Sequence, residues 1–505
     1  VPVELQVDGQ DVSVPDDGAS LLEALRDRLG IRSPKDGCSP QGQCGCCTVL
    51  VDGAPRVACV TPVRRVAGRQ ITTLDGLPEA DRQAWADAFT ACGASQCGFC
   101  TPGIIVRLAA TAGRVAPEEA LLAHLCRCTG WRTILDAAAA VTASPAIPRD
   151  LEAAGRRATI EGHAPQAVGP HVALGQGGFA DDTAPLDALV AVPDGRGGWA
   201  VGETLTEARA RAGKVQGRRT TIEPRPPLDL PPGDWALTLR TSWVEPAYLE
   251  PDASWCAPGG QPASALANGG AFGGKLHSPA PAAARQLADE LGRPVRVLLS
   301  REDVVRVGPK RPPLAAGVRA DGTGVVRVAR TPGIAEAIRS VAPGLEVEEV
   351  DVPGPPTSAD IRAAGWAEAA VLLAALAKEA RVVAPNGAQA EAHFDASGNV
   401  HVRVACGQPL DDVVLRSYCV GAAHMALGWV RSEGIAVDDE GVAHDLTIRS
   451  FGILRAKDMP DVTVEIEPAD GPPVNGSDAV FAAVAAAAWL ADGLSGQWPT
   501  KGATP

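Results

Sequence analysis

The sequence predicts a multidomain α+β protein, and three observations carry that expectation. Residues 1–75 read as short strands and one helix, residues 76–145 switch to helical periodicity, and the remainder alternates strand-like with alanine-rich helical runs. At 505 residues the chain is long enough for roughly three or four domains, each with its own core.

The elements follow in order. VPVELQV alternates as a strand, Asp8-Gly9 turns, and QDVSV is its hairpin partner. Ser20 caps LLEALRDRLG, whose Leu21, Leu22, Leu25 and Leu29 share one face before Gly30 stops the helix. The strand Cys47–Val51 turns at Asp52-Gly53 into a partner that ends near Cys59. From Pro78 onward, helical apolar runs occupy 81–91, 103–112, 117–125 and 132–142. Residues 146–165, rich in proline, alanine and charge, read as a linker. Beyond it lie two mixed halves, 166–330 and 331–505, joined near 330–360. DTAPLDALVAVPD, RTSWVEPAYLE and VHVRVACG supply strands there; RQLADELG, AEAAVLLAALAKEAR and VFAAVAAAAWLADGL supply helices.

Composition narrows the function. A net charge of −14 without a basic tract excludes nucleic acid as a partner. The longest apolar run, 479–491, is too short to span a bilayer and reads as a buried helix, so no membrane span is expected. No basic start with an apolar core and cleavage site opens the chain, and free cysteines suit a reducing compartment, so the expected location is cytoplasmic. Cys92, Cys256, Cys406 and Cys419 lack partner spacing and read as buried thiols. The histidines are scattered and suggest no metal site.

Ten of the thirteen cysteines fall in the first 128 residues, and eight form two sets with ligand density for two metal centres. Cys38, Cys44, Cys47 and Cys59 follow the layout of a plant-type [2Fe-2S] ferredoxin loop, with the first gap one residue longer than C-x4-C. Glycines in such a loop let amides converge on anionic sulfur. Cys46, between two of these, is a spare, because neighbours in a tight loop cannot all face one centre. The second set, Cys97 and Cys100 in QCGFCTPG with Cys126 and Cys128 in LCRCTGW, pairs C-x2-C with C-x-C. Four thiolates also suit structural zinc, and a lone C-x2-C also suits a redox dithiol.

The ordered pair GCSPQGQCGCCTV with Cys59, then QCGFCTPG with LCRCTGW, resembles the iron–sulfur region of molybdenum hydroxylases, the xanthine dehydrogenase and aldehyde oxidoreductase family. The resemblance implies a β-grasp ferredoxin domain at 1–75 and a helical-bundle domain at 76–145, each carrying one [2Fe-2S] cluster. It also implies that Gln96 and Cys128 lie on the pterin side of the helical cluster. RTSWVEPAYLEPDA, NGGAFGGK and the stretch from CGQPLDD to VEIEP resemble, in that order, the family's large molybdopterin-binding region, here shortened. Gly270, Phe272, Gly273 and Gly274 would then form the glycine-rich loop beside the cofactor. A glycine string also fits a plain strand-to-helix turn, as read for GQGG at 175–178.

Departures from the family are pronounced. Where its glutamate base stands in a GVGEPP-like segment, this chain has Ser477, with Asp478 next to it, in PPVNGSDAV; where it has glutamine-glycine, this chain has Met425-Ala426. No counterpart of the FGxPQ segment is recognised. These departures count against a molybdopterin cofactor in this chain. The function expected is an electron-transfer and scaffold subunit, passing electrons through two [2Fe-2S] clusters between a molybdenum centre and a flavin. The FAD subunit, like the molybdopterin-binding catalytic subunit, would be a separate partner. The alternative is a compact hydroxylase of an aldehyde or N-heterocycle, with Asp478 or Glu368 as its base. A structural or sensory iron–sulfur protein is a third reading.

Overall fold

The computed structural model describes residues 2–142, 149–213, 222–265, 270–444 and 446–500. The first unit is a five-stranded sheet in the order Gln10–Val14, Val3–Val7, Gln70–Thr72, Thr48–Val51, Ala54–Val57. Its central pair is parallel, with Val7 opposite Ile71, and the flanking pairs are antiparallel hairpins. This is the β-grasp arrangement expected for 1–75. Ser20 accepts from Glu23 N–H and starts the helix, which opens into a wider turn over Ala24–Arg28 and packs Leu21, Leu22 and Leu25 on the sheet.

The second unit is helical. Glu79–Cys92 ends at Gly93 in the left-handed region (φ 64°), and Thr101–Thr111, Pro117–Ala120 and Arg132–Ala140 follow. The stretch read as a linker is more ordered than its composition suggests. Asp150 caps a 12-residue helix, Leu151–Gly162, whose Arg157 and Glu161 are fully buried as an ion pair.

Among the described residues three larger sheets and a two-stranded ribbon, Ala436–Val437 with Ala443–His444, build the large region. Trp199–Gly202, Leu189–Pro193, Val295–Leu298 and Ala253–Cys256 form the first, backed by the helix Ala280–Leu291. The second runs Leu345–Val350, Gly324–Ala329, Leu314–Val318, Leu237–Thr241, Gln497–Trp498. Its Gly324–Ala329 and Leu345–Val350 strands are parallel, and the helix Ile334–Val341 supplies the crossover that parallel strands require. The expected join at 330–360 therefore holds part of a sheet. RTSWVEPAYLE is strand only to Thr241; beyond it Trp243 and Val244 make single bridges to Ile435 and Arg311.

The third sheet, Arg381–Val383, Gln389–Phe394, Val400–Ala405 and Val462–Ile466, packs under the helices Asp412–Arg431 and Ser477–Ala491. Asp412–Arg431 is long and apolar enough to cross a membrane by length and composition, but 89% of its apolar window is buried inside the fold. A single hydrophobic core runs from the ferredoxin sheet through both cysteine sets to these helices. The cysteine sets thus sit where the small domains meet the large region.

Candidate metal centres

In the first centre Cys38, Cys44, Cys47 and Cys59 are all buried. The amides of Gln41 and Gln43 point at Cys38 Sγ at 3.3 and 3.5 Å, and the Cys59 amide points at Cys47 Sγ at 3.4 Å. Amides aimed at sulfur favour thiolate, the form that binds iron. Hydrogen bonds from Cys44 and Cys59 hold the Cys38 thiol well below its ordinary value; the same contacts, with burial, push Cys44 and Cys59 up. A Cβ on Gly37 would lie 3.0 Å from Cys44 Sγ and 3.1 Å from Cys46 Sγ, so a side chain there would crowd the thiols. Cys46, the spare, is fully buried at the same spot.

In the second centre Cys97 Sγ and Cys128 Sγ are 3.6 Å apart, and Cys100 pairs with Cys126. A hydrogen bond from Cys100, working against burial and helped by Thr129 Oγ1 at 3.1 Å, brings Cys126 down to about 6. Every cysteine in the chain is free of disulfides. Among the described residues no three His, Cys, Asp or Glu side chains converge on one ion position.

The two ligand loops interlock. Leu125 N–H donates to Cys44 C=O at 2.9 Å, one residue before Cys126. A Cβ on Gly103 would fall 2.3 Å from Gly45 O, and one on Gly45 would fall 2.4 Å from the His124 ring. Burial holds that imidazole neutral, at about 3. The 175–178 turn joins this packing, because Gly177 lies against Cys97 O, 2.3 Å from where its Cβ would be.

The pterin side shows a different economy. Gln96 does lie beside Cys128, but its Nε2 donates to Cys128 O and Ser417 Oγ, both at 3.0 Å. Gly270 packs directly on the second centre, with its Cβ position 3.3 Å from Cys128 Sγ. Gly273 (φ 94°) and Gly274 face Asp360 O and Pro246, at 1.9 and 2.5 Å from their Cβ positions. These glycines permit close approach of protein to protein.

Phe272 stacks under the Arg362 guanidinium at 3.8 Å, and that guanidinium fills the space between the remaining candidates. Arg362 donates to Asp478 Oδ1 at 2.9 Å, Ser477 Oγ at 2.7 Å and Met425 Sδ at 3.3 Å. Asp478 also binds His163 Nε2 at 3.0 Å. Burial would raise the Asp478 carboxyl, but His163 and Arg362 outweigh it and hold it below its ordinary value. Glu368 lies elsewhere, paired with Arg311 at 2.5 and 3.0 Å while capping Gly365 N–H. Asp478 and Glu368 are thus each committed to an arginine, which leaves neither carboxylate free to take a proton from a substrate or water as a general base must. Among the described residues Gln96 Oε1 has no partner, but Gln96 Nε2, the glycines and Arg362 are all engaged by protein and Arg362 fills the space beside Phe272, so the residues here do not fit a pterin. Sequence reasoning missed Arg362 because a lone arginine in DIRAAGW carries no motif; it also missed His163 and the buried Arg127–Glu433 pair that ties LCRCTGW to the large region.

Comparison with known proteins adds to this geometry. Residues 4–64 match the family described as 2Fe-2S iron-sulfur cluster binding domain, and residues 73–139 match the [2Fe-2S] binding domain. The nicotinate dehydrogenase small FeS subunit of Eubacterium barkeri is 35% identical over 139 residues, 26% of this chain and 88% of that protein. The xanthine dehydrogenase iron-sulfur-binding subunit of Escherichia coli is 39% identical over 130 residues, 24% of this chain and 79% of that protein. Aldehyde oxidoreductase of Megalodesulfovibrio gigas is 40% identical over 147 residues, 26% of this chain, and the match spans only 16% of that protein. In fold, the crystal structure of the aldehyde oxidoreductase from Desulfovibrio desulfuricans superposes with a TM-score of 0.68 at 15% identity, covering 96% of this chain and 97% of that one.

Proposed function

We propose that this chain, which belongs to the molybdenum hydroxylase family, is the electron-transfer and scaffold subunit of a multi-subunit oxidoreductase whose molybdenum centre and flavin sit on partner subunits. The observation that carries the reading is the interlock of two buried thiol quartets through the Leu125–Cys44 backbone bond. Two [2Fe-2S] clusters, bound at Cys38, Cys44, Cys47 and Cys59 and at Cys97, Cys100, Cys126 and Cys128, would each supply one-electron redox chemistry. The chain's own residues do the rest. Amides of Gln41, Gln43 and Cys59 stabilise thiolate, the buried loops exclude water, and the shared backbone bond holds the two ligand loops against each other. Relatives named as iron–sulfur subunits support partner chains, and free thiols support a reducing, cytoplasmic setting.

The compact-hydroxylase reading is disfavoured by Arg362 and Arg311, which occupy Asp478 and Glu368. The test is anaerobic purification of the intact assembly and of this chain separated from it, with iron, sulfide and molybdenum counted and the reduced clusters read by electron paramagnetic resonance. About four irons per chain, with molybdenum only in the assembly, is the expected result. Cys44→Ser and Cys97→Ser should each remove a different signal. Molybdenum retained by the separated chain, or one signal lost in both variants, would overturn the reading.

A further inference from the structure

Tyr418 is buried (1% exposed), and among the described residues its hydroxyl has no hydrogen-bond partner. A phenol in a dry interior costs free energy unless its proton is accepted somewhere. The helix Asp412–Arg431 that carries it lies directly on the second centre. Gly421, three residues on and so on the same face, has its Cβ position 1.8 Å from Cys128 O, and the Cβ position of Gly130 lies 2.5 Å from Val420 O. Ser417, the preceding residue, takes Gln96 Nε2 and donates to Gly93 O at 2.6 Å, so this turn of helix is fixed in register against the Cys97–Cys128 side. The Tyr418 ring meets the edge of Phe272 at 6.2 Å, which closes its other flank. Beyond burial, the charges acting most on the hydroxyl are Cys128 and Cys97, ahead of Glu161 and Arg362.

We propose that the Tyr418 hydroxyl donates its hydrogen bond to the sulfur of the cluster held by Cys97, Cys100, Cys126 and Cys128, and thereby raises that cluster's reduction potential above what the cysteine loops alone would set. The proposal rests on the two-cluster reading. Reduction adds negative charge to the sulfurs, so a donor aimed at them binds the reduced form more strongly, and hydrogen bonds to sulfur are one of the protein's levers on potential. The competing acceptor is water. Gln96 Oε1 is also unpartnered, and the space shared by Gln96, Ser417 and Tyr418 is about 10 Å³, at the lower limit for one water molecule.

The experiment uses the full chain with its clusters, titrated by electron paramagnetic resonance, with iron and sulfide counted on the same samples. Tyr418→Phe removes one oxygen and should lower the second cluster's potential by about 59 mV, equivalent to a tenfold weaker affinity for one electron. It should leave the first cluster unmoved, and an exchangeable proton coupled to the reduced second cluster should disappear. The chain has only two tyrosines, so 3-fluorotyrosine incorporated in a Tyr248→Phe background labels Tyr418 alone. That more acidic phenol should shift the potential the opposite way, and it keeps the test alive if Tyr418→Phe loses its cluster. Four irons with unmoved potentials in both proteins would overturn the hydrogen bond and assign the hydroxyl to water. Two irons per chain in the unsubstituted protein would overturn the relay reading and the proposal with it.

Discussion

His163 and Asp478 show how one residue pair can make stability depend on pH. Burial would lower the His163 imidazole, but the charge and hydrogen bond of Asp478 raise it above its ordinary 6.5. A raised folded-state value means the imidazolium stabilises fully below about 6.5 and is lost as pH climbs through the folded value. Asp478, held below its ordinary 3.8, has the opposite sign: its contribution is present above about 3.8 and is lost only as pH falls through the lower folded value. His124 and His424, kept neutral by burial at about 3 and 4, cost stability as pH falls below 6.5. His163→Asn should therefore remove the loss above pH 6.5 and, because His163 helps to hold Asp478 down, should also weaken the Asp478 contribution on the acid limb. The check is the difference in melting temperature between wild type and variant from pH 5.5 to 8.5; a pH-independent difference would refute the pairing. Leaving Asp478 buried without Arg362 would cost about 3–5 kcal/mol. Spacing named all eight cysteines, whereas nothing local to Arg362 announces that it meets Ser477 and Asp478 more than a hundred residues away.

Helices were legible where an apolar stripe ran between clear stops, as in Glu79–Cys92 before Gly93 and Ser477–Ala491 in its alanine run. Asp412–Arg431 is buried all round from residue 417 to 430, because the second centre covers one side and Ser477–Ala491 another, so periodicity had little to mark there. Leu151–Gly162 was obscured for the opposite reason: its charged residues read as a linker, but Arg157 and Glu161 neutralise each other inside the fold. At this scale Gly421 is the sensitive position. Alanine there would gain up to about 1 kcal/mol of helix propensity but would drive a methyl into Cys128 O, costing about 3 kcal/mol or more. Gly421→Ala should lose iron from the second centre while the first keeps its signal. Gly155→Ala, whose methyl would meet only Gln166 O at 3.4 Å, should keep both signals and gain slightly in thermal stability. Iron counts and circular dichroism on the two variants separate local clash from a general intolerance of alanine.

The whole molecule couples its clusters to its fold through a seam of buried charges. Arg26 binds Asp181 and Asp182 at 2.6 and 2.9 Å, Lys35 pairs with Asp182, and Arg127 pairs with Glu433, joining the small domains to the large region. These pairs do not depend on iron, and neither do the three large-region sheets. The ligand loops do, because their chain direction is set by thiols converging on a centre and by glycines that offer no side-chain contacts of their own. Removing iron by anaerobic chelation should therefore unfold the protein in two parts. Amides of the loops at 37–48 and 97–130 should lose hydrogen-exchange protection first, while strands such as Val400–Ala405 and the helix Ser477–Ala491 keep theirs. Protection of the ferredoxin strand Thr48–Val51 should fall with the loops, since Cys47 precedes it directly. Uniform loss across the chain would mean that the large region has no stability apart from the clusters, and unchanged protection at 37–48 would mean that iron does not hold the loop. The expected graded loss fits a protein in which the thiol-bearing loops are set into a framework whose sheets and buried ion pairs persist without them.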